Sequence, residues 1–542
     1  MRPDRRALLL WSLFAVVGGA FWGLAFGREP WRFGSWIALA PLFVCLGAPF
    51  GRRGVALLGF LHGLAAWLVS IPWIAPTLMT FGQMPEWLAI FCLLLLAGYL
   101  ALFHAAFALL GRHLWRAATG GAGGAWSALP ALVALPALWV ALEWLRTHLF
   151  GGFPWNLAAY AWVGVPGALP ASAWVGAYGI SFLLLFANAG VALAVVRRRT
   201  APGGAWRWLA AGLGVPLLVL ALGGRWGAGG TVPDRTSLDG GGWTHRGAPV
   251  RLLQPDIPNA VQPNWQEIRA NYGRVLQMSE PACTPGSLVV WPESAAWPYS
   301  FTEDSGFGSD VRKLASMGGC TLLFNSVYPS DDGRYYNSAF VVGPDGSTAR
   351  YDKRKLVPFG EYVPLAGVFS FIDKLARNAG EFRAADELGL LPWGAGEDGE
   401  GGEQLGPAIC YEVTFPGQVA DTVRAGATVL VTITNDAWYG DTAAPWQHYA
   451  AARFRAAENR RPLLRAAITG VSAVVERDGG EVARLDPFTQ GTIRAGVRGE
   501  TGLSPYTRWP WLVPVVCVFL ALGGLWWGRA GGGESGRQDA AR

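Results

Sequence analysis

The chain has 542 residues, of which 52% are hydrophobic and only 15% charged, with a formal net charge of +6 and 28 tryptophans. Soluble domains carry nearer a quarter charged residues, so this composition argues against a wholly soluble protein and for a membrane class. The modest positive charge, mostly arginine, is no nucleic-acid footprint, and the six cysteines include no CxxC pair or metal-ligand spacing that would call for a zinc site or any other cofactor.

Taken in order, long apolar segments recur up to about Gly224: Ala7–Phe26, Phe33–Phe50, Val55–Ile74, Trp87–Leu110, Ala128–Leu149, Gly167–Val196 and Trp206–Gly223, with one more at Trp509–Trp527. Each approaches or exceeds the roughly 20 residues a helix needs to cross hydrocarbon, so eight transmembrane helices are expected, seven before a polar domain and one after it. Arg2, Arg5 and Arg6 ahead of the first segment resemble a signal peptide, but the length of that segment and the spans behind it favour an uncleaved helix. Cys45, Cys92 and Cys517 lie within these stretches and read as small apolar residues.

The arginines orient the array. Arg2, Arg5, Arg6, Arg52, Arg53, Arg112, Arg116, Arg197, Arg198, Arg199 and Arg529 fall at alternate ends of the spans, while the opposite ends carry only Arg28, Arg32, Arg146 and Arg225. By the positive-inside rule both termini are cytoplasmic, and seven crossings put about Arg225 to Arg508 on the far side.

Inside the apolar part, Glu143 is costly enough to be a functional candidate, and Arg146 three residues on offers an ion pair along one helix face. The loop Phe150-Gly-Gly-Phe-Pro-Trp-Asn-Leu-Ala-Ala-Tyr160 reads either as a re-entrant segment near the active site or as an ordinary aromatic-belt connection. His62 and His104 stand as isolated core residues.

The texture changes at Ala248. Runs at Val250–Gln254, Ser287–Trp291, Thr321–Ser326, Ser338–Val342, Ala408–Cys410, Thr428–Thr434 and Leu463–Ile468 predict strands. Between them, helices are predicted around Trp265–Ser279, Ser309–Met317, after Pro416, and around Trp446–Arg460. Such alternation indicates layered α/β architecture. Leu391–Gln404, rich in Gly and Glu, is expected to be a flexible surface insertion. The domains then run 1–226 (seven helices), 227–247 (linker), 248–505 (extracytoplasmic catalytic domain), 506–528 (last helix) and 529–542 (polar, disordered tail). Cys283 and Cys320 lie in the polar part, where the sequence does not decide whether they pair.

Three strand ends carry chemistry. The apolar run Gly406-Pro-Ala-Ile-Cys-Tyr-Glu412 delivers the Cys410 thiol to the carboxyl end of a buried strand, where α/β sheets hold their sites. A thiol attacks carbonyls as thiolate, so it needs a base or cation nearby. Glu293, closing Val289-Val-Trp-Pro-Glu293, is a candidate base. Lys353, closing Tyr351-Asp-Lys353, can face a developing oxyanion, with backbone N–H groups after Cys410 as a second donor. Singly, each residue also reads as an ordinary buried cysteine, strand-end carboxylate or surface lysine.

Together, Trp291-Pro-Glu-Ser294, Tyr351-Asp-Lys-Arg-Lys-Leu-Val-Pro-Phe-Gly-Glu361 and Ile409-Cys-Tyr-Glu412 resemble the Glu–Lys–Cys signatures of the nitrilase (carbon–nitrogen hydrolase) superfamily. With the multi-span N-terminal part, the resemblance narrows to the apolipoprotein N-acyltransferase family. Gln254-Pro-Asp-Ile-Pro-Asn259, Asn435-Asp-Ala-Trp-Tyr-Gly440, Pro445-Trp-Gln-His448, Arg460-Arg-Pro-Leu-Leu-Arg465, Pro76–Pro85 and Gly152-Phe-Pro-Trp155 also look like this family. The resemblance implies an extracytoplasmic four-layer αββα domain on eight membrane helices, in a bacterial inner membrane. It implies Cys410 as nucleophile, Glu293 as general base, Lys353 as oxyanion stabiliser, and Glu361 as the group that orients Lys353 or relays protons. Trp265, Asn337, Tyr411 and Glu412 match further positions used around the site, although packing alone can account for Trp265 and Tyr411.

The implied partners are a phospholipid acyl donor and diacylglyceryl-modified apolipoproteins, with the acyl chain carried on Cys410 as a thioester. Pro364–Arg383, with Phe369, Phe371 and Leu375 beside Lys374 and Arg377, reads equally as an amphipathic lid or a packed surface helix. A membrane-tethered amidase using the same trio on small amides is the alternative enzyme. A transporter is disfavoured, because few charges line the spans.

Overall fold

The computed structural model describes residues 5–27, 32–80, 82–119, 128–198, 202–227, 247–258, 264–302, 305–358, 360–362, 382–394 and 402–539. They form two units: Met1–Ala75, Trp87–Gly227 and Trp509–Arg542 make a helical unit, and Pro76–Glu86 with Ala228–Arg508 an α/β unit.

In the helical unit, six helices among the described residues are long and apolar enough to cross a membrane: Arg5–Leu24, Arg52–Ser70, Glu86–Thr119, Leu129–Arg146, Ala168–Arg197 and Gly204–Arg225. The other two expected spans fall short of that length, as the apolar helices Ser35–Leu46 and Leu512–Trp527. The first of these is interrupted at Leu39, where Pro41 lacks an N–H and the buried Asn188 side chain accepts from the Leu39 and Ala40 N–H groups at 2.8 and 3.1 Å. The helix Leu512–Asp539 contains Pro514 but no later proline to stop it, and it continues through most of the stretch expected to be a disordered tail.

Packing in this unit relies on small residues. A Cβ at Gly19 would overlap the His62 backbone, so helices Arg5–Leu24 and Arg52–Ser70 meet backbone to backbone there. His62 and His104 are not isolated: their Nδ1 atoms lie 3.2 Å apart, both rings buried between two helices. Glu143 and Arg146 form the expected ion pair at 3.8 Å, but their shorter bonds go to the aromatic loop. Arg146 donates to the carbonyls of Phe153 (2.9 Å) and Trp155 (2.8 Å) and stacks over Trp67, while Glu143 accepts from the Ala158 N–H (2.8 Å). The pair therefore braces the loop, which is buried from Pro154 to Val163.

The α/β unit has two six-stranded sheets. The first is ordered β12 (Gly491–Val497), β1 (Ala248–Gln254), β2 (Leu288–Val290), β3 (Thr321–Pro329), β4 (Tyr335–Val342), β5 (Thr348–Asp352). The second runs β11 (Glu481–Leu485), β10 (Ser472–Val475), β9 (Leu463–Ala467), β8 (Val429–Thr434), β7 (Glu403–Ile409), β6 (Leu391–Trp393). Strand alternation sends Leu288, Val290, Ile409, Val431 and Ile433 into a core shared by both sheets. Val289 and Leu322 turn outward under the helices Trp265–Ser279 and Gly306–Gly318, and Ala408 and Leu430 turn under Pro416–Arg424 and Ala444–Asn459. The result is a four-layer αββα arrangement in which central strands are apolar on both faces.

Three features go beyond the sequence reading. Leu391–Gln404 is not a loose insertion at its ends: β6 pairs antiparallel with β7, Leu391 opposite Leu405 and Trp393 opposite Glu403, and both Leu391 and Trp393 are buried. Its residues 395–401, like 363–381 of the expected lid, lie outside the described residues. Cys283 and Cys320 form a disulfide, with Cα atoms 5.3 Å apart. Finally, Pro76–Glu86 belongs with the α/β unit, where Thr77 Oγ1 donates to the Trp438 carbonyl at 3.0 Å.

Candidate active site

Cys410 follows β7 directly, beside the parallel strand β8, and opens a 3-10 turn over Cys410–Thr414. Its φ of +51° is left-handed, as is that of Ser294 (+61°) just after Glu293. Non-glycine residues held there cost of order 1–3 kcal/mol each and need a surrounding structure that fixes them. Both mark strand ends where the chain turns sharply, so that Glu293 and Cys410 stop at the rim instead of continuing the sheet.

The partners of Cys410 come from the other sheet. Glu293 lies beyond β2, Lys353 just beyond β5, and Asn337 on β4, where its carbonyl accepts from the Lys353 N–H (2.9 Å). The buried Lys353 ammonium sits 2.9 Å from Glu361 Oε1 and 3.6 Å from Glu293 Oε1. Asn337 Nδ2 donates to both carboxylates, at 3.0 Å to Glu293 and 2.8 Å to Glu361. The orientation of that amide follows from its other end: Asn325 Nδ2 donates to Asn337 Oδ1 at 2.7 Å, while Asn325 Oδ1 accepts from the Ser294 N–H. Glu293 Oε2 accepts from the Asn435 N–H (3.0 Å), and Glu361 Oε2 from the Val357 N–H (2.8 Å). Every oxygen of both carboxylates is thus held, and Glu361 is the closer counter-ion of Lys353.

The electrostatics assign proton positions. Burial opposes the Lys353 ammonium, but the charges of Glu361 and Glu293 outweigh it and raise its pKa, so the lysine stays charged. Burial pushes the Cys410 thiol up, the Glu293 charge pushes it further, and Lys353 pulls it back without restoring the ordinary value. Burial thus favours the thiol form of Cys410, and the Glu293 and Lys353 charges both bear on that thiol. The arrangement suits attack on a carbonyl, with proton transfer to carboxylate and a cation for the oxyanion.

Glu412 has a different position from the trio. Fully buried, it accepts from Ile409 N (2.8 Å), Arg354 N (2.7 Å), Lys355 N (3.1 Å), Tyr351 Oη (3.0 Å) and Gln418 Nε2 (2.8 Å). One carboxylate thereby ties the Lys353 segment to the Cys410 turn across the two sheets. Tyr411 is buried edge-on against Phe415, with ring centroids 5.1 Å apart. Trp265 is 64% exposed at the start of its helix, so core packing does not explain it.

Sequence reasoning gave no role to Asn325, Gln418, Thr434, Asp436, His448 or Arg465. Asp436, His448 and Arg465 stood in family-like stretches, but nothing in the spacing showed that they converge behind the nucleophile.

Residues 18–190 match the family described as Apolipoprotein N-acyltransferase N-terminal domain, and residues 250–504 match Carbon-nitrogen hydrolase. The chain is 33% identical to an apolipoprotein N-acyltransferase of Geobacter metallireducens over 516 residues, covering 93% of each. It is 35% identical to one of Ralstonia nicotianae over 504 residues, covering 91% of this chain and 89% of the relative. Among solved structures it is similar to a mutant of an amidase of the nitrilase superfamily from Nesterenkonia, 20% identical with a TM-score of 0.35, covering 48% of this chain and 93% of that one.

Proposed function

The chain belongs to the apolipoprotein N-acyltransferase family, and we propose that it works by a two-step transfer through Cys410. It is an N-acyltransferase of lipoprotein maturation and a multi-pass membrane protein. In the first step Glu293 takes the thiol proton and the thiolate attacks an ester carbonyl of a phospholipid. Lys353 and the first N–H groups of the Cys410 turn face the oxyanion. The C–O bond breaks, the lysophospholipid oxygen leaves with the proton from Glu293, and an acyl-thioester remains. In the second step the α-amino group of an S-diacylglyceryl cysteine attacks the thioester. Glu293 accepts the amine proton and returns it to the departing Cys410 sulfur, leaving an amide. A thioester is close in energy to an ester and an amide lies well below both, so the second step drives the sequence. Trp265 and Tyr411 contact the lipid substrates in this reading, Glu361 and Asn337 hold Lys353 and Glu293, and Glu412 aligns the two strand ends.

The observation that carries this reading is the buried Glu293–Lys353–Glu361 cluster set against a strand-end thiol that must lose its proton to act. Incubation of the purified chain with phospholipid should add one long acyl chain to Cys410, seen by mass spectrometry and removed by neutral hydroxylamine. Addition of an S-diacylglyceryl cysteinyl peptide should discharge it as amide. Turnover of small amides without any such adduct would instead indicate the amidase.

We place eight crossings in the bacterial inner membrane, counting with the six long helices the expected segments Phe33–Phe50 and Trp509–Trp527, of which Ser35–Leu46 and Leu512–Trp527 are the helical parts, and the α/β unit on the extracytoplasmic side. The alternation of arginines supports this, and so does the Cys283–Cys320 disulfide, since such bonds persist in oxidising compartments. Chain denatured without reductant, after hydroxylamine treatment, should couple maleimide at the four free cysteines Cys45, Cys92, Cys410 and Cys517, and at all six after reduction. Six before reduction would count against the extracytoplasmic assignment.

A further inference from the structure

Behind Cys410 lies a buried group that the trio does not include. Asp436 is fully enclosed in the 3-10 turn after β8. Its Oδ1 accepts from Thr434 Oγ1 at 2.8 Å, and Thr434 sits beside Cys410, one position beyond the Ile409–Ile433 pair of the adjacent strands, where its oxygen lone pairs can still accept from the thiol. Arg465, on β9, donates to Asp436 Oδ2 at 2.7 Å. His448, on the helix Ala444–Asn459, has its Nδ1 at 3.1 Å from both Asp436 Oδ1 and Arg465 Nη2, and its Nε2 at 3.0 Å from the Cys410 carbonyl. A carbonyl only accepts, so Nε2 carries hydrogen and donates to it. Burial lowers the His448 pKa, which leaves the neutral ring with Nδ1 accepting from Arg465.

We infer that Asp436 is a positioning residue for the nucleophile, holding the Cys410 side chain through Thr434 and the Cys410 carbonyl through Arg465, which donates to both Asp436 and His448, and through His448 itself. The two arms grip opposite ends of the one residue whose left-handed φ the strand alone would not maintain. Burial opposes the Asp436 charge, but Arg465 outweighs it and, with the Thr434 hydrogen bond, holds the carboxyl below its ordinary value, so the hub stays ionised. Space is reserved for the hub as well, because a Cβ on Gly470 would fall on the Asp436 carboxyl group.

This inference rests on Cys410 being the acylated residue, and its test is arranged to separate the two. Rapid-quench acylation of the full-length chain by phospholipid gives a burst amplitude, which counts folded sites, and a burst rate, which reports how well the thiol is presented. Asp436→Asn should retain the amplitude and lose about 10²-fold in rate, the scale of a displacement near 1 Å at a reacting atom. His448→Gln, which can still donate to the Cys410 carbonyl, should stay within about tenfold of wild type, while His448→Leu should match Asp436→Asn. An Asp436→Asn burst whose amplitude drops at unchanged rate, an unchanged burst, or equal rates for the two His448 variants would overturn the inference. Adduct formation by Cys410→Ala would overturn the underlying reading instead.

Discussion

Glu293→Gln is expected to slow formation of the acyl-thioester by about 10²- to 10⁴-fold near neutral pH, the range spanned by loss of a positioned general base. Burial raises the Cys410 thiol pKa above its ordinary value, so little thiolate exists unless a neighbour takes the proton. Glutamine keeps the carboxylate's size and can still accept from the Asn435 N–H, but it cannot accept the proton. The pH dependence gives the sharper signature. With the base removed, ionisation falls to solvent hydroxide, and the acylation rate should climb about tenfold per pH unit between pH 7 and 9. Loss of the Glu293 charge removes one of the causes that raise the thiol, while burial, the larger one, remains. The wild type should change far less over the same interval. A variant within tenfold of wild type at pH 7, or one with a flat profile, would mean that Glu293 does not take the Cys410 proton.

That Glu293, Lys353 and Cys410 stand out in the sequence as candidates has a physical basis. Glu293 and Cys410 each follow an apolar run and Lys353 follows a strand, and a polar residue at such an end is where an α/β sheet exposes function. The runs themselves were legible because β2, β7 and β8 are buried on both faces, and continuous apolar stretches leave little doubt of a strand. The edges were not. β12 pairs with β1 across some 240 residues of sequence, and β11 is only half-buried, so neither leaves a local pattern strong enough to read. Membrane spans were legible as composition, but Asn188 reaching Leu39 is a contact between distant segments, and it interrupts a stretch that reads as one continuous helix. The same limit hid the disulfide and the Asp436 group. Cys283 and Cys320, or Asp436 and His448, carry no mark of their partners until the sheets and helices bring them together.

Lys353→Met should have two separable consequences. Without the ammonium, the carboxylates of Glu293 and Glu361 remain bridged by Asn337 but face each other with no cation between them. Breaking a buried ion pair from one side costs about 3–5 kcal/mol, which for a unit of this size lowers Tm by roughly 10 °C. The raised Lys353 pKa gives the same sign: its stabilisation is present throughout the range below the ordinary lysine value and is lost only as pH rises through the elevated one. Acyl transfer should fall as well, by about 10²–10³-fold, because the oxyanion loses its cation. Stability loss alone can mimic an activity loss, so the decisive variant is Lys353→Met combined with Glu361→Gln. Removal of the nearer carboxylate relieves the uncompensated charge, and part of the lost Tm should return. Activity should not, since nothing replaces the positive charge at the carbonyl oxygen. Recovery of acylation along with stability would instead show that Lys353 serves only to neutralise Glu361, and that the oxyanion is held elsewhere.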